Sequence, residues 1–202
     1  AVTITNAIQN SQADTINSLT TGQVTVNNVQ DSYAEIVNTH NLTNSEVSIA
    51  AAAVTITDST NKTKMDAVNG YTTGTVTATT LVEDYADIVT IEGTTGLSVA
   101  ATAITITDSV NKTKADAVNA YTSGTVTVNT IADGVSDLAT VAATSGISIA
   151  AAAITVTDAA TNANADTINA YTTGQVTLSA VTDSYAEIVN THNLTTTEVS
   201  MA

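Results

Sequence analysis

The chain has 202 residues, lacks cysteine, proline, tryptophan and phenylalanine, and carries six tyrosines as its only aromatics. Four lysines stand against 19 acids, a formal net charge of −15, so the phosphate neutralisation on which nucleic-acid binding depends is missing and anionic membranes are poor partners. There is no disulfide, thiolate or cysteine-based zinc chemistry, and no run approaches the roughly 18 apolar residues of a membrane span.

The N-terminal stretch AVTITNAIQN has no basic region followed by an apolar one and reads as the middle of a pattern. Glycines set the register of that pattern. Gly22, Gly74, Gly124 and Gly174 are separated by 52, 50 and 50 residues, which divides the chain into units 1–52, 53–102, 103–152 and 153–202. The longer connection THNLTNSEVS of the first unit recurs as THNLTTTEVS in the fourth, where the second has IEGTTGLS, so the length change leaves the apolar columns intact. A period near 50 is the mark of a stacked array whose units bury apolar faces against one another.

Each unit is itself double. In the third, AITITDSVNKTKADAVNAYTSG is followed by TVTVNTIADGVSDLATVAATSG. Ile104 and Ile106 alternate with Thr105 and Thr107, and Val126 and Val128 with Thr125 and Thr127, which predicts two half-buried strands. Val110, Ala117, Val118 and Tyr121 then fall on one side of a helix, with Gly124 at its C-cap. A second helix starts at SYAE, Ser32–Glu35 and Ser184–Glu187, which fits a capping box; Asp84 and Asp87, then Gly134 and Asp137, stand in those places in the inner units. This helix turns Tyr33, Ile36 and Val37 inward. In ISIAAAAITVT the inward parity changes between Ile147/Ile149 and Ile154/Val156, which predicts a bend in the alanine tract and a short third strand per unit.

Strands alternating with helices predict an α/β repeat, a solenoid of four units of about 50 residues with parallel strands and short helices, since parallel neighbours need crossover connections. An all-β solenoid is the alternative, because helices rich in Thr and Asn have poor intrinsic propensity.

Chemistry has few places to sit in such a chain. His40 and His192 occupy the same connection 152 residues apart, and no Ser/His/Asp group, phosphate-binding glycine loop or HExxH motif is present. No catalytic residue, enzyme activity or small-molecule substrate is expected. Tyr71, Tyr121 and Tyr171 align with Leu19, which marks a packing column. Acids form columns at Asp14/Asp66/Asp116/Asp166, Asp31/Glu83/Asp133/Asp183, Glu35/Asp87/Asp137/Glu187 and Asn6/Asp58/Asp108/Asp158. Rows of carboxylates could supply oxygens to calcium, with Asp58, Asp108, Asp158, Asp133 and Asp183 as candidates; helix capping is the default reading, and the EF-hand and GGxGxD spacings are missing. The lysines, all in NKTK at 62–64 and 112–114, could neutralise acids of adjacent units. Thr55/Thr57, Thr105/Thr107 and Thr155/Thr157 form TxT rows like those of ice-binding β-solenoids, although threonine also suits any exposed strand face.

The segment ITVTDAATNANADTINAYTTGQVTLSAVTDSYAEIVN, Ile154–Asn190, resembles the "VTDTAANxxANxDAL" type of repeat in very large, acidic, Thr-rich surface and secreted proteins of bacteria. The resemblance implies an extracellular array that spaces an adhesive or matrix-forming end from the cell. Taken with the repeats, it leads to the expectation of a non-enzymatic section of a filament, surface layer or adhesin stalk. Such a section would stack head to tail with copies of itself through exposed strand edges. A calcium-dependent or ice-binding module is the alternative.

Overall fold

A computed structural model describes residues 1–42, 46–194 and 199–201. Among these residues the first unit runs β1 (Val2–Ile8), α1 (Asn10–Ser18), β2 (Val24–Asp31), α2 (Tyr33–Leu42) and β3 (Val47–Ser48). The second runs β4 (Ala53–Thr60), α3 (Lys62–Asn69), β5 (Val76–Glu83), α4 (Tyr85–Glu92) and β6 (Leu97–Ser98). The third follows with β7 (Ala103–Val110), α5 (Lys112–Tyr121), β8 (Val126–Asp133), α6 (Val135–Ala143) and β9 (Ile147–Ser148). The fourth has β10 (Ala153–Ala160), α7 (Asn162–Asn169), β11 (Val176–Val181), α8 (Tyr185–Leu194) and β12 (Val199–Met201). This is the α/β repeat with parallel strands and short helices, including the brief third strand of each unit.

The chain forms two compact bodies, residues 1–82 with 86–103, and residues 83–85 with 104–202. In the first, β1, β2, β4 and β5 lie in that order as parallel neighbours. β3 pairs with the start of β2 (Val24↔Val47) and β4 with its end (Val29↔Val54), so the alanine tract between β3 and β4 is a jog in one strand line. The second body repeats the scheme with β7, β8, β10, β11 and β12, β9 lying beside β8. The sheet is open in each body.

The inward side chains follow the predicted alternation only at first. Val54 and Ile56, paired with Val76 and Ala78, are buried; then the register slips between Ile56 and Ser59, and Thr60 and Leu81 are the next to turn inward. The same slip between Ile106 and Ser109 carries β7 on to Val110. Val110 is therefore a buried strand residue and not part of the helical face, because an extra residue in one strand resets its parity. The helix begins at Lys112 and buries Ala115 and Val118. Burying these aliphatics between sheet and helices offsets the poor helix propensity of Thr and Asn.

The glycine column differs from expectation in its reason. The C-cap of α3 is Gly70 and that of α5 is Thr122, so Gly74 and Gly124 come after the helix ends. A Cβ at Gly74 would lie 2.1 Å from the carbonyl oxygen of Ala52, and one at Gly174 2.2 Å from that of Ala152. Only glycine lets the strand start this close to the end of the preceding unit. The Thr two residues earlier completes the seat: Thr72 Oγ1 donates to Ala52 O at 2.6 Å and accepts from Gly74 N at 2.9 Å, and Thr172 does the same with Ala152 and Gly174.

Candidate functional site

Two of the acid columns sit at helix starts, where Asp31, Asp133 and Asp183 in one and Asp58, Asp108 and Asp158 in the other accept from backbone donors. Asp133 Oδ2 accepts from Lys112 N at 2.8 Å and its Oδ1 from Gly134 N at 3.0 Å, so one carboxylate serves the starts of both helices of its unit. Asp183 repeats this with Asn162 N (3.1 Å) and Ser184 N (2.8 Å), and Asp31 with Asn10 N (2.9 Å) and Ser32 N (2.8 Å). The other column reaches backwards across the unit boundary. Asp58 Oδ1 accepts from Tyr33 N at 2.7 Å, Asp108 Oδ1 from Tyr85 N at 2.8 Å, and Asp158 Oδ1 from Val135 N at 3.0 Å. Each of these aspartates thus caps the second helix of the unit before its own, where a negative charge also meets the positive end of the helix dipole. Among the described residues no group of three or more His, Asp or Glu is spaced to hold a metal ion.

The predicted capping box at SYAE forms only its hydroxyl half. Ser32 Oγ accepts from Glu35 N and Ser184 Oγ from Glu187 N, both at 3.3 Å. Asp31 takes the Ser32 N–H, and the Glu35 carboxylate turns instead to Asn10 Nδ2 at 2.8 Å, tying α2 to α1. The first helices have their own caps, with Asn61 accepting from Lys64 N and Asn111 from Lys114 N.

The lysines divide their work. Lys62 pairs with Asp66 and Lys112 with Asp116, each at 2.5 Å and four residues on along the same helix. Bonding to Asp116 raises the Lys112 pKa above the ordinary lysine value, with partial desolvation opposing. Lys64 and Lys114 instead reach the preceding unit, over a ring and not an acid. Lys64 Nζ lies 5.5 Å from the ring centre of Tyr33 and Lys114 Nζ 5.0 Å from that of Tyr85, within cation–π range. Tyr33 is accordingly half-exposed beneath a cation, while Ile36 and Thr39 are the buried residues of α2. His40 stacks on Tyr71 with ring centres 3.9 Å apart and planes 8° apart, which gives it a packing contact across the first unit boundary.

The threonine rows split in two. Thr55 stands in register with Thr77, their hydroxyl oxygens 3.0 Å apart, and Thr77 with Ser98. Thr105 continues to Thr127 and Ser148, and Thr155 to Thr177 and Ser200. These hydroxyls are half-exposed on the sheet face opposite the buried aliphatics. Thr57, Thr107 and Thr157 are exposed but lie at the register slip, where strand pairing is interrupted. A hollow of about 400 Å³ between α1 and α2 is lined by Asn10, Asp14, Asn38, Asn41 and Leu42, amides and one carboxylate without a nucleophile beside a base.

The most developed feature of the molecule is therefore the boundary between units, made of a backward-reaching aspartate, a lysine over a ring and a Thr–Gly seat. No protein-family model, curated protein or solved structure matches the chain.

Proposed function

We propose that the chain is a non-enzymatic structural repeat array, a section of an extracellular filament, surface layer or adhesin stalk that lengthens by adding units end to end. One observation carries this reading: the second helix of one unit is capped by the aspartate of the next, as Tyr33 N is by Asp58. A unit whose helix start is completed by its neighbour is built for a row, with stability that grows through nearest-neighbour contacts. The engagement of the acids by backbone donors favours this over a calcium-dependent module, and the interruption of the threonine rows at Thr57, Thr107 and Thr157 favours it over an ice-binding face. The extracellular setting rests on the likeness to Thr-rich bacterial surface repeats, and the lack of cysteine fits a chain indifferent to redox conditions.

The test is a length series in which the four units are extended by further copies of units two and three. Melting temperature should rise and then level off, and the length seen by electron microscopy should grow by a constant step per unit. Equal melting temperatures at every length would refute the array.

A further inference from the structure

The end of the fourth unit repeats, residue for residue, a surface whose partner is visible elsewhere in the molecule. Asp183–Leu194 and Asp31–Leu42 are both DSYAEIVNTHNL. In the first unit this surface is covered by the second: Asp58 accepts from Tyr33 N, Lys64 sits over the Tyr33 ring, and Tyr71 stacks on His40. In the fourth unit Tyr185 is 86% exposed and Val189 40% exposed. Ile188 is half-buried where Ile36 is fully buried. β11 ends at Val181, two residues short of the point matching the end of β2, where β4 pairs with it.

Side chains across the boundaries vary in step. Tyr33 meets Lys64 and Tyr85 meets Lys114, whereas Val135, at the same column, is followed by a unit with Asn164 in place of the lysine. The ring and the cation come and go together.

We propose, building on the array reading, that the face formed by β11 and α8 is a docking surface for a repeat unit of the second type, one with aspartate, lysine and tyrosine at the columns of Asp58, Lys64 and Tyr71. The acids Asp183 and Glu187 on this face suit a lysine-bearing partner. The first unit of another copy of this chain presents Asn6, Gln12 and Leu19 at those columns and so lacks all three matching groups. The Tyr–Lys column thereby sets which unit follows which.

Substitution in the full chain tests this. Asn6→Asp, Gln12→Lys and Leu19→Tyr together give the first unit the three groups of the second, and self-association is read by sedimentation velocity. The association constant should rise at least about fivefold over the natural chain, from an exposed cation–π contact of about two- to fivefold and a charged helix cap of at least about twofold. Adding Tyr185→Ala should remove most of the gain. Gln12 accepts a hydrogen bond from Gln9 N, so circular dichroism checks the fold, and Gln12→Lys alone, expected to give about two- to fivefold, serves if the triple variant misfolds. A folded variant with no gain, or a gain that survives Tyr185→Ala, overturns the proposal. In either case cooperative melting of the natural chain would leave the array reading standing.

Discussion

Two glycines four residues apart should respond to alanine in opposite ways. At Gly74 the added Cβ would sit 2.1 Å from Ala52 O and 2.5 Å from its carbon, both backbone atoms, so one unit has to move by about 1 Å from the other. Overpacking of this kind costs about 1–3 kcal/mol. The movement also strains the bonds from Thr72 Oγ1 to Ala52 O and from Thr73 N to Ala50 O, each contributing about 0.5–1.5 kcal/mol. A total of about 2–6 kcal/mol corresponds to a melting temperature lower by about 4–24 °C for a chain of this size. Gly70 has helical backbone angles (φ −70°, ψ −16°), and its Cβ would meet only the helix's own Ala67 and Asp66 carbonyl oxygens, at 3.2 and 3.8 Å. The third and fourth units already carry Ala120 and Ala170 there. Gly70→Ala should be neutral or raise stability by up to about 1 kcal/mol through reduced freedom of the unfolded chain. Differential scanning calorimetry of the two variants decides the matter. Equal melting temperatures would refute the idea that this glycine exists to let units approach.

Asp58→Ala should cost about 1–2 kcal/mol by uncapping α2 from across the boundary, while Asp58→Asn, which keeps an acceptor, should cost less; urea melts distinguish them. Ile88→Ala, at a fully buried position of α4, should cost about 2–5 kcal/mol by the same assay. Millimolar calcium should change the melting temperature no more than magnesium at equal ionic strength, since the candidate carboxylates already accept from backbone N–H groups; a calcium-specific rise would reveal a site that binds the folded state. Nanolitre osmometry should detect no thermal hysteresis, because the exposed Thr57 and Thr107 stand at breaks in the ladder.

Much of this architecture is legible in the sequence, for reasons that are local. Alternation at Ile104–Thr107 and Val126–Thr127 reports strands, and the parity change at Ile149–Ile154 reports the jog, because side-chain direction follows directly from period. The slip after Ile106 left no such trace. A bulge depends on the neighbouring strand, so Val110 falls on a helical face by pattern but lies in a strand. Gly124 stands by pattern at a C-cap, whereas the constraint on this glycine column shows at Gly74 and comes from Ala52, 22 residues earlier. The acids were readable as caps, but pattern alone did not reveal which helix each one caps. Asp58 serves a helix starting 25 residues before it and Asp108 one starting 23 before. The four NKTK lysines could by pattern neutralise acids of adjacent units, whereas Lys62 and Lys112 pair within their own helices and Lys64 and Lys114 lie over rings. The most developed contacts lie between units, and contacts between units are what a single sequence records least well.

The most direct test is to express residues 53–102 alone and compare their thermal melt with that of the whole chain by circular dichroism. Deprived of both neighbours, the fragment should show no cooperative transition, while the whole chain melts sharply. A sharp transition of the fragment at the temperature of the whole chain would show that each unit stands by itself and would contradict the array.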